Sequence, residues 1–213
     1  METFRWILAL GICYLIGSIP TGFWVVKCLK HTDIRTVGSG NIGATNTARA
    51  AGPWAALFVF IIDVAKGFLA VALIAPWFWG PSETLSPVLC GLATVMGHDF
   101  PVWLRFAGGK GVATTIGVLL ASWPSIAAIS IGVWLICFLI WRYVSVGSLV
   151  ASLVIPIGLM LLHRSWAEWV AGSGLTLLMI VRHRSNIARL LEGQEHRVQR
   201  LQRHKGPSEL FEG

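Results

Sequence analysis

The sequence has little charge for its length. Of its 213 residues, 13% are Asp, Glu, Lys or Arg, whereas a soluble domain carries about 25%. Roughly half of the charge that would cover a water-facing surface is therefore missing. At the same time, 55% of the residues are hydrophobic. This balance argues against an ordinary soluble enzyme and predicts a single compact integral membrane unit.

Cysteine is scarce and scattered. The four cysteines are Cys13, Cys28, Cys90 and Cys137. They form no CxxC pair and no cysteine–histidine cluster at the spacing of metal ligands. We therefore expect free thiols packed among helices, and no metal site.

Long apolar segments, by contrast, are abundant. A membrane span needs about 20 apolar residues, and four segments meet or approach this length: 6–26, 53–79, 126–141 and 144–162. Three more are shorter or interrupted: 86–104, 112–122 and 166–181. Interrupted spans tend to line polar cavities, because backbone polar groups cannot be left facing lipid. The predicted fold is an all-α integral membrane protein with about seven transmembrane helices, some of them short or re-entrant around the site.

The basic residues are distributed unevenly between the two faces. If the N-terminus lies outside, 14 of the 17 Lys and Arg residues fall on the inner side. Arg5 and Arg164 lie outside, and Lys66 lies within a span. Cytoplasmic loops are enriched in basic residues, so the C-terminus and the loops that carry the motifs below are predicted to be cytoplasmic.

The first of these loops reads VGSGNIGATNTAR over residues 37–49. It formally matches GxGxxG, but a dinucleotide site needs a preceding strand in a βαβ unit, and here the flanks are membrane helices. What remains is a glycine-rich turn that offers N–H groups, hydroxyls and a guanidinium to an anion. The side chains concerned are Ser39, Asn41, Thr45, Asn46 and Arg49. The alternative is a solvated connector.

The second loop reads GHDFPVWLRFAGGKGVATT over residues 97–115. Its core is Gly108, Gly109, Lys110 and Gly111. Glycines let the backbone approach a phosphate, while the following helix N-terminus and the lysine supply positive charge. It is not a Walker A loop, because Leu104 stands at the first glycine position and no Ser or Thr follows the lysine. We expect phosphate binding without nucleotide hydrolysis; the alternative is a flexible turn with a snorkelling lysine.

Two polar groups fall inside apolar segments. Asp63 and Lys66 are three residues apart, so they share a helical face and can neutralise each other. They are either structural or part of a cavity wall. His98 is expected to be a structural hydrogen-bonding residue, and its neighbour Asp99 does not reach the same point.

The third motif reads VRHRSNIARLLEGQE over residues 181–195. Arg182, His183, Asn186 and Arg189 are spaced so that much of the set can share one helical face. Basic residues beside a membrane often simply meet anionic headgroups. That explanation suffices for the basic residues later in the chain, but it does not explain why His183 and Asn186 are present.

Taken in this order, the three motifs and GSIPTGF at residues 17–23 resemble the bacterial acyl-phosphate-dependent glycerol-3-phosphate acyltransferases. The resemblance covers about residues 15–195, and it implies one membrane domain over 1–195 and a solvated cytoplasmic tail over 196–213. It also implies a multi-pass protein of the bacterial inner membrane with its active site on the cytoplasmic side.

The resemblance implies transfer of a fatty acyl group from acyl phosphate to the sn-1 hydroxyl of glycerol 3-phosphate, without a cofactor or metal. The products would be lysophosphatidic acid and phosphate. The implied catalytic residues are Ser39, Arg49, Lys110, His183 and Asn186. The implied substrate-binding residues are Asn41, Thr45, Gly108, Gly109, Gly111, Thr114, Ser148 and Arg182. The expected partners are the two substrates and membrane lipid, not nucleic acid, and the default expectation is a monomer.

Two questions stay open at this point. Either His183 or a phosphate oxygen of the substrate could take the proton of the attacking hydroxyl. A small anion or solute transporter is the main rival function, but it predicts inverted repeats, which the sequence lacks. A CDP-alcohol phosphotransferase would need an acidic metal cluster, and neither glycine-rich core contains an acidic residue.

Overall fold

The computed structural model describes residues 1–80 and 85–198. These ranges contain helices and no strand, so the all-α prediction is confirmed. The helices are α1 (Glu2–Ser18), α2 (Thr21–Lys30), α3 (Ala44–Ala51), α4 (Pro53–Leu69), α5 (Ala75–Trp79), α6 (Leu85–Asp99), α7 (Val112–Ser122), α8 (Pro124–Trp141), α9 (Val144–Leu161), α10 (Trp166–Arg182) and α11 (Arg184–Leu191). A π-helical turn, Ala70–Ile74, joins α4 to α5.

Four stretches of this described chain are long and apolar enough to cross a membrane: Glu2–Lys30, Pro53–Trp79, Pro124–Trp141 and Val144–Leu161. They coincide with the four segments predicted as full spans, apart from a few residues at their ends. The three segments predicted as short or interrupted are α6, α7 and α10, with 15, 11 and 17 residues. The chain is therefore a multi-pass, all-helical membrane protein.

The first long stretch is broken in its middle. Pro20 disfavours the helical conformation at the residue before it, and Ile19 accordingly has ψ of 112°. The helix stops at Ser18 and resumes at Thr21. At this break, the Ile19 carbonyl accepts a hydrogen bond from Lys66 Nζ at 3.3 Å.

Glycines bring the short helices α6 and α7 into direct backbone contact with the long ones. A Cβ on Gly97 of α6 would overlap the Tyr14 carbonyl of α1. A Cβ on Gly117 of α7 would likewise overlap the Val64 carbonyl of α4. Small residues permit such close approach of helices in membranes. Two tight helix contacts thus fix the position of the loop between α6 and α7 relative to α1 and α4.

One acidic side chain in α10 has a structural role. Glu168 is buried and closes a capping box with Ser165 at the start of the helix. Its Oε1 accepts hydrogen bonds from Trp123 Nε1 at 2.9 Å and from the Arg164 guanidinium at 2.6 Å. This network ties the α7–α8 junction to the start of α10.

The predicted solvated tail, residues 196–213, falls mostly outside the described residues, which end at 198. Two of the three described tail residues contact the turn between α8 and α9. The Val198 N–H donates to the Arg142 carbonyl at 3.0 Å, and the Arg197 guanidinium lies 5.9 Å from the centre of the Tyr143 ring.

Candidate active site

A cavity of about 630 Å³ lies where the three sequence motifs meet. Its polar lining includes Ser39, Asn41, Thr45, Asn46, Arg49, Asp63, His98, Lys110, Gly111, Ser145, Ser148, His183, Asn186, Arg189 and Glu195. Its apolar lining includes Phe60, Ile116, Leu119, Leu120, Ile131, Trp134, Phe138, Ile155 and Met179. The cavity therefore joins a polar region to an apolar one, as a molecule with a charged head and a hydrocarbon chain would require.

Three helices begin at the cavity. The starts of α3 (Ala44), α7 (Val112) and α9 (Val144) all line the cavity. Each helix N-terminus carries about half a positive charge, from its unpaired N–H groups. Together with Arg49 and Lys110 they make the polar region a site for anions.

The first glycine-rich loop is folded around one buried amide. Asn46 Nδ2 donates to the carbonyls of Ile34, Val37 and Asn41 at 3.2, 2.9 and 2.9 Å. Its Oδ1 accepts from the Ser39 N–H at 3.1 Å. Gly38 and Gly40 take positive φ angles of 55° and 69°, which the tight turn requires. Asn46 thus fixes the loop that presents Ser39 and Arg49 to the cavity.

The second glycine-rich loop is held from two sides. The Gly109 N–H donates to the His98 carbonyl at 3.0 Å. On the opposite side, the Arg182 guanidinium donates to the carbonyls of Gly108 and Gly109 at 3.2 and 2.8 Å. The Arg182 guanidinium also lies 4.7 Å from the centre of the Phe100 ring. This bracing directs the next residue, Lys110, to the cavity.

Lys110 begins a chain of hydrogen bonds through the third motif. Its Nζ donates to Asn186 Oδ1, and Asn186 Nδ2 donates to Glu195 Oε1 at 2.7 Å. The same carboxylate accepts from Ser145 Oγ at 3.0 Å and from Arg189 Nε at 2.9 Å. These bonds lower the pKa of Glu195 against the opposing effect of burial, so it is an anion that orients the Asn186 amide toward the lysine.

His183 lies between α10 and α11 and is buried. Its Nδ1 is 2.8 Å from the Met179 carbonyl. A carbonyl can only accept, so Nδ1 carries the proton and Nε2 is the free acceptor. Burial lowers the pKa of His183 to about 4, and the nearby Lys110 charge adds to this, although the Met179 bond opposes it. The imidazole is therefore neutral near pH 7.

Ser148, in the first turns of α9, also reaches the cavity. Its Oγ donates to the Val144 carbonyl at 2.9 Å and accepts from Trp134 Nε1 at 3.3 Å. Trp134 lies at the apolar region, so Ser148 marks the junction between the two parts of the cavity.

The comparisons with known proteins agree with this arrangement. The family model described as glycerol-3-phosphate acyltransferase matches residues 7–193. The chain belongs to this family. It is 42% identical over 198 residues to the glycerol-3-phosphate acyltransferase of Prochlorococcus marinus (strain MIT 9301). This alignment covers 92% of this chain and 99% of the relative. It is 44% identical over 193 residues to glycerol-3-phosphate acyltransferase 2 of Moorella thermoacetica, with 91% and 97% covered.

Two solved structures are also similar to it. Both are crystal structures of PlsY (YgiH), an integral membrane glycerol 3-phosphate acyltransferase. The glycerol 3-phosphate form is 43% identical, with a TM-score of 0.85 and coverage of 91% of this chain and 95% of that chain. The lysophosphatidic acid form is 40% identical, with a TM-score of 0.82 and the same coverage.

In this member of the acyltransferase family, four predicted site residues lie outside the cavity lining. Arg182, Gly108 and Gly109 form the brace described above, because the guanidinium bonds the two glycine carbonyls and the Gly109 N–H is bonded to His98. Thr114 is buried at the α4–α7 contact, where its carbonyl lies against Gly67. Arg182, Gly108 and Gly109 thus fix the loop, and neither they nor Thr114 line the cavity.

Of the four residues for which a shared helical face is predicted in the third motif, His183, Asn186 and Arg189 line the cavity. Arg182 does not line it, and its guanidinium bonds the glycine loop instead. The helix is interrupted between them, since α10 ends at Arg182 and α11 begins at Arg184.

Sequence reasoning missed Glu195 and Ser145 as site residues of this acyltransferase. Glu195 ends both the third motif and the predicted domain and is given no role from the sequence, although an acidic residue that follows a basic stretch can suggest a partner for Arg189 or Lys110. Ser145 carries no such signal, because its contact with Glu195 joins residues that are far apart along the chain.

The acyltransferase should lose substrate affinity at alkaline pH. Burial lowers the pKa of Lys110 to about 8, and the charges of Arg189, Arg182 and Arg49 add to this against Glu195. The cation is present below this pKa and is lost above it. We expect kcat/KM for glycerol 3-phosphate, which reports the free enzyme, to fall as the pH rises above about 8.

The Lys110→Arg variant is the control for this pH profile, since a guanidinium stays charged throughout. Its kcat/KM should be lower but flat up to pH values well above 8. An unchanged alkaline fall in this variant would assign the titration to another group.

Proposed function

We propose that the chain transfers a fatty acyl group from acyl phosphate to the sn-1 hydroxyl of glycerol 3-phosphate. The family supports the acceptor, and the observation that carries the proposal is the cavity itself. Its polar region combines three helix N-termini with Arg49 and Lys110, and its apolar region is continuous with it. An acyl phosphate needs both parts, a place for its phosphate and a place for its hydrocarbon chain.

The loop of Ser39 and Arg49 is suited to one phosphate. Ser39, Asn41 and Thr45 line the cavity beside the start of α3, and Arg49 can form a two-pronged bond to a phosphate. Lys110 and the start of α7 line the same cavity. The cavity thus offers two sets of donors, one from each glycine-rich loop, for the phosphates of the two substrates.

In the proposed reaction, the sn-1 oxygen attacks the acyl carbonyl carbon. A new ester C–O bond forms, the C–O bond to phosphate breaks, and inorganic phosphate leaves with the bonding electrons. Negative charge develops on the carbonyl oxygen and on the departing phosphate. Lys110, oriented by Asn186, and the N–H groups at the start of α7 are placed to stabilise this charge. The mixed anhydride is already activated, so no acyl-enzyme intermediate is needed.

The hydroxyl proton goes to a phosphate oxygen in this account, not to His183. A base works best when its pKa is near the working pH, and that of His183 is about 4. A phosphate monoester has a second pKa of about 6, which makes its dianion the stronger acceptor. His183 Nε2 then serves to orient the hydroxyl or a phosphate.

The His183→Gln variant tests this division of roles. Glutamine keeps a hydrogen-bonding group near the position of Nε2 but cannot act as a base. We expect kcat to fall by less than about 10-fold, since general-base catalysis alone is worth about 10²–10⁴-fold. A fall of that larger size, with binding of glycerol 3-phosphate retained, would make His183 the proton acceptor.

The acyl donor is tested with the purified protein in detergent. Glycerol 3-phosphate is offered with palmitoyl phosphate or with palmitoyl-coenzyme A, and acylated product is measured. Product from palmitoyl phosphate alone is expected, because the polar region is built for a bare phosphate. Product from the thioester alone would overturn the choice of donor.

The same proposal includes the topology. We propose seven spans, with the N-terminus outside and the motifs on the cytoplasmic side of the bacterial inner membrane, because most of the basic residues then lie inside. Residues 1–195 would form one catalytic domain and 196–213 a cytoplasmic tail. The protein would act as a monomer.

A further inference from the structure

Three ionisable side chains to which the proposed reaction gives no role lie together beside the cavity, and two of them, Asp63 and His98, line it. Asp63, Lys66 and His98 are exposed by 1%, 5% and 5%. Lys66 Nζ is 2.8 Å from Asp63 Oδ1 and 2.9 Å from His98 Nδ1. Burying charge in a membrane protein is costly and often marks function. The group therefore calls for an explanation beyond neutralisation of a charge pair.

Lys66 fixes the protonation of the His98 ring. Its ammonium has three N–H donors and no acceptor. The three donors meet Asp63 Oδ1, the Ile19 carbonyl and His98 Nδ1. Because an ammonium can only donate, Nδ1 accepts and the ring proton is on Nε2. The tautomer and the orientation of the ring are thereby set by a fully bonded lysine.

Asp63 ties this group to the break in the first span. Its Oδ1 also accepts from Thr21 Oγ1, the first residue of α2, at 3.3 Å. The position of the His98 ring therefore depends on groups in two long segments, Glu2–Lys30 and Pro53–Trp79.

The other edge of the ring lies against the second glycine-rich loop. A Cβ built on Gly109 would overlap His98 Nε2, so the ring fills the space beside the Gly109 α-carbon. The Gly109 N–H also bonds the His98 carbonyl. Gly109 is therefore held by both the ring and the backbone of His98, and the next residue is Lys110.

We infer that Asp63, Lys66 and His98 form a positioning cluster that sets the place of Lys110 in the active site. The inference rests on the acyl transfer proposed above. His98 holds the loop from one side and Arg182 from the other, so a change at either should move the lysine. Misplacing a catalytic group by about 1 Å can cost about 10²-fold in rate.

The His98→Asn variant tests the cluster. Asparagine Oδ1 occupies the place of Nδ1, so the bond from Lys66 is kept while the ring beside Gly109 is lost. We expect kcat with palmitoyl phosphate and glycerol 3-phosphate to fall roughly 10- to 100-fold. The KM for glycerol 3-phosphate should change much less, because the loop of Ser39 and Arg49 is untouched. In Gly109→Ala, the added methyl group pushes the loop and the His98 ring apart, so kcat should fall by a similar factor.

Thr94→Val is the matched control. Thr94 is fully buried on α6, one turn before His98; its Oγ1 donates to the Cys90 carbonyl at 2.8 Å, and its side chain also hydrogen-bonds that of Cys13. The Thr94→Val variant should keep kcat near that of the wild type, while it loses about as much thermal stability as His98→Asn. If His98→Asn loses no more kcat than Thr94→Val, the cluster is structural only and the inference is overturned. An inactive wild type would instead contradict the proposed function.

A spectroscopic measurement on the wild type is independent of catalysis and of any variant's folding. Imidazole ¹⁵N chemical shifts of His98 distinguish its two neutral tautomers. The Nε2–H tautomer is expected, and Lys66→Met should remove this preference. An Nδ1–H tautomer in the wild type would contradict the bond from Lys66 and overturn the inference.

Discussion

Replacing Lys110 with alanine is expected to lower kcat by about 10²–10³-fold, the usual cost of removing one group that stabilises developing charge. In the proposed reaction the ammonium stabilises the departing phosphate, and its hydrogen bond to Asn186 orients it. The residue lies in a loop before α7, so the helix bundle should remain folded. Initial rates with palmitoyl phosphate and glycerol 3-phosphate, together with thermal unfolding in detergent, measure both effects.

Lys30→Ala is the control for this variant, because it removes the same charge from an exposed position at the end of α2. Its kcat should stay within about twofold of the wild type, as expected for surface charge. If Lys110→Ala kept more than a tenth of the wild-type kcat, Lys110 would not be the main cation at the reacting phosphate.

Replacing Asn46 with aspartate is expected to disable the first glycine-rich loop. The side chain keeps its shape but loses both N–H donors, and a buried carboxylate then faces three carbonyl oxygens. Each unpaired buried carbonyl costs about 1–3 kcal/mol, so the loop should open instead of keeping this geometry. Ser39 and Arg49 then lose their positions, and kcat/KM should fall by roughly 10²-fold or more.

Thr47→Val is the matched control for Asn46→Asp. Thr47 is the next residue of α3 and is fully buried, and its Oγ1 bonds only the Gly43 carbonyl, at 3.2 Å. This variant should keep kcat/KM within a few-fold of the wild type. Proteolysis within residues 34–46 should accelerate in Asn46→Asp only. Near-normal kcat/KM in Asn46→Asp would show that the loop does not depend on this amide.

The membrane architecture could be predicted from hydropathy because length and apolar content decide whether a helix can span. The ends were less predictable: the first span starts and ends four residues beyond its apolar core, at Glu2 and Lys30. The tight contacts of Gly97 and Gly117 depend on which helices are neighbours, and a single sequence does not contain that information.

The location of the site could also be predicted, since the three motifs were expected on one face and all line one cavity. The partners of individual side chains could not. Arg182 is predicted to bind phosphate because its charge suits one, yet its guanidinium bonds the glycine loop. The ion pair of Asp63 and Lys66 was foreseeable from their spacing, but the contact with His98 was not.

Acyl transfer from acyl phosphate to glycerol 3-phosphate is tested most directly by counting products of the purified wild-type protein. Palmitoyl phosphate is supplied with and without glycerol 3-phosphate, and phosphate and lysophosphatidic acid are both quantified. The two products should appear in equal amounts, and neither should exceed the uncatalysed background without glycerol 3-phosphate. Phosphate release at the same rate without glycerol 3-phosphate, or lysophosphatidic acid in the absence of matching phosphate, would contradict the proposed reaction.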